Sequence, residues 1–242
     1  MTAAAPAASP PDAGYHTKLE RVAVRGADSL VIRSLLDRQQ YADPCGEAAA
    51  AGFSSATWSL FGVVWPSALQ LAALMAVWPL ARDQRILEVG CGLALASLVC
   101  HRRRADVTAS DSHPLAPCFL LDNAGLNDLP PLPYRHGDWG ADPRQLVHDR
   151  HPVVRGHFDL IMGSDVLYER DDPGHLAAFI GRHAAPGAQV LIVDPDRRNR
   201  PAFARRMAAD GFALRETPLC GRDGDALPYK GRLMHFSRSR GG

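Results

Sequence analysis

Ile86-Leu87-Glu88-Val89-Gly90-Cys91-Gly92-Leu93-Ala94 decides how this 242-residue chain is read. The short apolar run Arg85–Val89 has strand character, and two glycines close it. A helix over Leu93–Arg103 is expected next, with Arg102, Arg103 and Arg104 complementing the negative end of its dipole. A strand that turns through glycine into a helix opens a βα unit. Gly90 and Gly92 permit a tight turn and let a ligand approach bare backbone. The new helix offers free N–H groups and a positive end, which suit a carboxylate.

Outward from this turn the alternation continues. Upstream, Pro66 suits a first helical position, and Ala68, Leu71, Ala72, Met75 and Trp78 share one helical face that Pro79 ends. Downstream, strands are expected at Asp106–Ser110, Leu132–His136, Phe158–Gly163, Gln189–Val193, Phe212–Thr217 and Leu233–Ser237. Helices are expected from Ser112 to Gly125, from Asp172 to Pro186-Gly187, and from Asn199 to Gly211. The pattern predicts an α/β, Rossmann-like fold: a mostly parallel sheet with helices on both faces and ligands at the carboxyl ends of its strands. Ahead of it, Leu19–Val24 and Ser29–Leu35 read as a small N-terminal hairpin turning at Arg25-Gly26-Ala27-Asp28. The expected division is a disordered tail over 1–14, a hairpin-and-loop extension over 15–57, and the α/β domain over 58–242.

The composition, 46% hydrophobic and 22% charged, suffices for a core, and a net charge of +1 calls for neither nucleic acid nor an anionic membrane as the main partner. The apolar stretch from Pro66 to Ala81 is short and interrupted for a membrane span. Five scattered cysteines fit reduced thiols in a cytoplasm better than a disulfide framework, and a monomer is expected. Of ten histidines, His148, His151 and His157 lack metal-ligand spacing and read as solvated, so no metal is expected. The basic run Arg197–Arg200 reads as a solvated loop.

The chemistry-bearing residues follow strand ends. A dinucleotide site would want Gly-x-Gly-x-x-Gly, but Leu95 fills the third position. Glu88 would also set a carboxylate near a pyrophosphate. A ligand with an ammonium group is better matched, which favours S-adenosylmethionine (SAM). Asp111, about twenty residues on, can accept two ribose hydroxyls or cap the next helix. Asp138-Trp139 can hold and cover an adenine, or form a surface turn with a packed Trp. In Ser164-Asp165-Val166-Leu167-Tyr168, Asp165 can hold an amine and Tyr168 can line a channel by cation–π contact. The bland alternative there is a capped turn. Trp58, Phe61 and Trp65 form an aromatic cluster of the kind found in cores, and a Trp face also stabilises a sulfonium.

Four blocks carry a resemblance: Val64-Trp65-Pro66-Ser67-Ala68, Ile86–Gly92, Val107-Thr108-Ala109-Ser110-Asp111 and Asp165-Val166-Leu167-Tyr168. Together they resemble the seven-β-strand SAM-dependent protein methyltransferases, the group that contains METTL21- and METTL23-like lysine- and protein-methylating enzymes. The resemblance implies a seven-stranded sheet with one antiparallel strand. It implies cofactor contacts at Trp65, Glu88, Gly90, Asp111 and Trp139, and an acceptor site near Asp165 and Tyr168, the expected catalytic residues; Gly92, Asp138 and Ser164 are further cofactor-binding candidates. Ala94 stands where that family carries a third glycine. Methyl transfer to a nitrogen, foremost a protein lysine, is the function implied. A small-molecule acceptor, or a SAM-binding module without catalysis, are the alternatives.

Overall fold

A computed structural model describes residues 14–142, 148–221 and 229–238. The tail expected over 1–14 falls, except for Gly14, outside the described residues. An antiparallel hairpin, β1 (Thr17–Val22) and β2 (Leu30–Leu35), opens the chain. Its connection is wider than the expected turn, running over 23–29. A short helix α1 (Glu47–Ala50) interrupts the expected loop, held by the Asp43 carboxylate, which accepts the N–H groups of Ala48 (3.0 Å) and Ala49 (2.8 Å).

A 3-10 helix (Trp58–Gly62) precedes α2 (Pro66–Val77). The apolar stretch Trp58–Val77 is long enough by composition to cross a membrane, but Val63 is extended and splits it. The 12 residues of α2 reach about 18 Å, short of a hydrocarbon core of about 30 Å. Leu71, Ala72 and Met75 are buried in the protein core.

Then come β3 (Arg85–Val89), α3 (Leu95–Arg102), β4 (Asp106–Asp111), α4 (Ala116–Leu126), β5 (Tyr134–His136), β6 (Phe158–Ser164), α5 (His175–His183), β7 (Ala184–Asp194), α6 (Arg200–Ala209), β8 (Phe212–Cys220) and β9 (Lys230–Arg238). Seven strands form one sheet in the order β5-β4-β3-β6-β7-β9-β8. Only β9 runs against its neighbours, pairing antiparallel with β7 and β8. This is the seven-stranded, mostly parallel α/β sheet that the sequence predicts.

The strands alternate strictly between two cores. Ile86, Leu160, Met162, Leu191 and Val193 join the cluster under α2, α3 and α4. Leu87, Ile161, Val190 and Ile192 join the cluster under α5 and α6. The period of two comes from the pleat, and burial on both faces explains the continuous apolar runs. One boundary departs from expectation. The chain leaves α5 directly into β7 at Ala184, and Pro186-Gly187 lie within that strand. They occupy a register shift, since Phe158 pairs with Ala184 but Leu160 with Gln189. A bulge tolerates a proline that a regular ladder would not.

The hairpin belongs to the same body. Leu30, Ile32 and Leu35 lie in the cluster that holds Ile86 and Val107. The free edge of β2 is paired by the side chains of Asn123 in α4 and Asn127 just after it. Asn123 accepts the Arg33 N–H (2.7 Å) and donates to the Arg33 carbonyl (3.3 Å), and Asn127 does the same for Val31 (2.9 and 2.8 Å). Four residues of helix advance about 6 Å and two of strand about 6.8 Å, so two amides spaced i, i+4 imitate a neighbouring strand. The edge is thereby closed.

Asn123→Leu keeps the volume and strands two buried backbone groups of Arg33. Each unpaired group costs about 1–3 kcal/mol. The expected loss is about 3 kcal/mol, seen as a fall in Tm of about 6–12 °C for a chain this size. An unchanged melting curve would refute the role given to the amides.

Candidate active site

The carboxyl ends of β3, β4, β5 and β6, with the loop after β7, open into one cavity of about 1250 Å³. Pockets for drug-sized ligands run about 300–1,000 Å³, so a nucleoside and a reacting partner fit together. The cavity sits where strand order reverses, β3 leading to β4 and β5 on one side and β6 to β7 on the other. The segment between the hairpin and α2 supplies another wall through Phe53, Thr57, Phe61 and Trp65.

At the glycine turn Gly90, Gly92 and Ala94 all have left-handed backbones, with φ of 59°, 51° and 57°. This is why α3 starts at Leu95 rather than Leu93. A Cβ on Gly90 would lie 2.9 Å from Val166 Cγ1 and 3.4 Å from the Trp139 ring. One on Gly92 would lie 2.8 Å from the Phe61 carbonyl oxygen. Steric closeness therefore forces both glycines. Ala94 accepts the left-handed geometry at a cost of about 1 kcal/mol.

Asp111 ends β4, buried yet lining the cavity. Its carboxylate accepts the N–H of Gly92 (2.8 Å) and of His113 (2.9 Å), tying the glycine turn to its neighbour strand. Burial raises its pKa and these N–H groups oppose the rise. Spare lone pairs remain for a ligand hydroxyl. Trp65 lines the cavity with its indole N–H held by the Leu60 carbonyl at 2.8 Å. Trp139 lines it as well, and its buried indole Nε1 has no hydrogen-bond partner among the described residues. Asp138 lines it while capping its own turn, accepting N–H groups of Gly140 (2.9 Å) and Ala141 (3.2 Å). Ser164, Asp165 and Tyr168 complete the wall. Burial pushes the Tyr168 hydroxyl up to about 12, helped by Glu169, so it stays protonated at neutral pH.

Glu88 alone among the sequence-derived candidates does not line the cavity. It shares a face of β3 with Ile86, the face α3 covers. There its carboxylate accepts the backbone N–H of Ser97 at 2.9 Å and the Ser97 hydroxyl. Glu88 thus meets the start of α3. Burial pushes its carboxyl from 4.5 up to about 7, Ser97 opposing and Asp111 adding to the rise.

Sequence reading missed the loop after β7. Arg197 is no solvated residue. Its guanidinium pairs with Asp165 Oδ1, Nε at 2.6 Å and Nη2 at 2.5 Å. Arg200 pairs with Glu216 and Asp196. Asn199 donates to the carbonyls of Leu167 (2.9 Å) and Glu169 (2.7 Å), holding the loop after β6. The one available signal was that these residues follow a strand end. Asp171, not Asp172, caps α5 through the N–H groups of Gly174, His175 and Leu176, and Asp172 pairs with Arg170. His148, expected in solvent, stacks on His136 at 4.1 Å and lies 5.6 Å from His151.

The donor set fits a ligand with hydroxyls, a carboxylate and flat or cationic faces. The Trp139 ring, a buried carboxylate at Asp111 and bare backbone at the start of α3 line one volume.

The profile of the methyltransferase domain family matches residues 66–227. The histone-arginine methyltransferase METTL23 of Xenopus laevis is 34% identical over 114 residues, covering 45% of this chain and 45% of that one. The chain thus spans about half the length of that relative. The EEF1A lysine methyltransferase 3 of Mus musculus is 25% identical over 177 residues, 71% of each chain. Among solved structures, magnesium protoporphyrin IX methyltransferase from Synechocystis, with bound SAM, superposes with a TM-score of 0.53 at 15% identity, over 71% of this chain and 78% of that one. At that identity the likeness concerns the fold.

Glu88 makes a pH prediction. The folded carboxyl holds its proton more tightly than the unfolded one, so stability falls as pH rises from 4.5 to about 7 and levels off above. Glu88→Gln keeps an acceptor for Ser97 without the charge. Its stability relative to the parent should grow by about 2–3 kcal/mol between pH 5 and pH 8, read from urea midpoints without ligand. Parallel curves would contradict this.

Proposed function

The chain belongs to the methyltransferase domain family, and on that premise we propose that it transfers the methyl group of SAM to a protein lysine side chain. SAM is the cofactor. Its sulfonium supplies an activated methyl group, which leaves alignment and a dry site to the chain. The glycine turn and the start of α3 would hold the amino-acid end, Asp111 the ribose hydroxyls, and Trp139 with Asp138 the adenine. Trp65 and Ser164 would close the wall beside the sulfur.

One observation carries the reading: the loop bearing Asp165 abuts the glycine turn, with Val166 Cγ1 2.9 Å from where a Gly90 Cβ would stand. A carboxylate suited to an amine thus shares a cavity with a cofactor turn. A lysine amine, with a usual pKa near about 10.4, must lose its proton before it attacks. Asp165 would accept a hydrogen bond from the neutral amine and aim its lone pair. Tyr168 would line the approach with its ring face. The mouse lysine-methylating relative aligns over the larger share of both chains, which favours lysine. The frog relative keeps arginine as the second reading. In this proposal the enzyme is a monomer that works in the cytoplasm, a location five free cysteines support, and needs neither nucleic acid nor membrane, in keeping with a net charge of +1.

Incubating the protein with radiolabelled SAM and cell lysate should label a protein band, and hydrolysis of that band should release methyllysine. Label confined to small molecules, or methylarginine in the band, would move the assignment. Asp165→Ala should abolish labelling while SAM still binds. Asp111→Ala should instead weaken SAM about 10–100-fold by calorimetry, the loss of one or two charge-assisted hydrogen bonds. Normal turnover by Asp165→Ala would remove that residue from the mechanism.

A further inference from the structure

A carboxylate beside an acceptor amine creates a difficulty. An anion within about 4–6 Å favours the protonated amine, commonly by one to three pKa units. An ammonium has no lone pair with which to take a methyl group. Asp165 alone would hold the acceptor in place and disarm it.

The structure carries a counterweight. The Arg197 guanidinium places Nε at 2.6 Å and Nη2 at 2.5 Å from one oxygen of Asp165, Oδ1. Oδ2 keeps no hydrogen-bond partner among the described residues. Both side chains are withdrawn from water, 33% and 11% exposed, where screening is weaker. The pair is fixed from both sides. The Arg197 N–H donates to Asp194 Oδ1 at 2.7 Å, and Asp194 is fully buried at the end of β7. The Asp165 N–H donates to the Val193 carbonyl at 2.9 Å, and its φ of 59° is a strained value for a residue with a side chain.

Arg38, Arg170, Arg198, Arg205 and Arg206 also line the cavity, but among the described residues Arg197 is the cation that pairs with Asp165. On the loop after β6 stand Tyr168 and Glu169, and after β4 stands Asp111. The loop after β7 brings Asp194, and Asp196, which Arg200 and Arg232 occupy. Tyr229, ahead of β9, is pushed up to about 12 by burial and is neutral. Without Arg197 no guanidinium among the described residues pairs with Asp165.

Building on the lysine-methylating reading, we propose that Arg197 is a positioning residue that cancels the field of Asp165, so that Oδ2 holds an amine by hydrogen bond without keeping it protonated. Asp165 provides direction and Arg197 removes the charge that direction would otherwise bring.

The test is the pH dependence of kcat/KM between pH 6.5 and 10.5 for the parent protein, Arg197→Gln and Arg197→Lys. The substrates are SAM and a lysine peptide cut from the protein band labelled in lysate. Arg197→Gln should displace the rising limb upward by about one pH unit or more. It should be about tenfold slower at pH 7 and approach the parent near pH 10. Arg197→Lys, which keeps the charge, should restore the parent profile. SAM affinity by calorimetry should stay within about threefold in both variants, which separates the effect from a damaged fold. An equal loss at every pH would overturn the proposal in favour of a structural role. A gain at pH 7 would overturn it too, since Arg197 would then be competing with the acceptor for Asp165. No transfer by the parent protein would instead defeat the methyltransferase reading on which this rests.

Discussion

Main chain passes so close to its neighbours at Gly90 and Gly92 that no side chain fits, and the site is arranged around that approach. Val166 and Trp139 press on the first glycine, and the Phe61 carbonyl presses on the second. The turn is therefore gripped by the loop after β6, the loop after β5 and the 3-10 helix ahead of α2. Those same segments supply the cavity walls. Tightness at the turn and the shape of the ligand volume are one constraint, because whatever holds the glycines in place also faces the ligand. Asp111 adds the electrostatic half by binding the Gly92 N–H and leaving lone pairs for a hydroxyl.

Acidic residues at successive strand ends show how a sheet of this type distributes charge. Glu88, Asp111, Asp165 and Asp194 lie at or just beyond the ends of β3, β4, β6 and β7, where strand backbone gives way to loops. Each is matched differently. Glu88 turns away from the cavity and steadies the first turn of α3 through Ser97. Asp111 is met by backbone N–H groups, Asp165 by a guanidinium, and Asp194 by the N–H of the residue that carries that guanidinium. Burial makes an unmatched carboxylate costly, so the partners determine which groups can stay ionised facing a ligand. The result is a cavity with a backbone-lined end and a charge-balanced end, which suits a transfer between two differently charged molecules.

The N-terminal hairpin is less an appendage than the sequence suggests. Its inner residues share a core with β3 and β4, and its edge is closed by Asn123 of α4 and Asn127 just after it. The segment after it then reaches the cavity with Phe53 and Trp65. Docking the hairpin and walling the site are consequently linked through one stretch of chain.

The sequence by itself determined the alternation of strands and helices, the glycine turn, and the placing of Trp65, Asp111, Asp138, Trp139, Ser164, Asp165 and Tyr168 at strand ends or loops. Those features are local: pleat period, turn chemistry and helix starts depend on neighbouring residues. What the chain does at Glu88, Arg197 and Pro186-Gly187 was decided only by tertiary structure. The partner of Glu88 depends on which face of β3 a helix covers. Arg197 meets Asp165 across 32 residues because β6 and β7 are neighbours in the sheet. Pro186-Gly187 look like a helix stop until β6 is laid alongside and the bulge absorbs them. Pairing between distant segments sets each of these, and no window of sequence contains both partners.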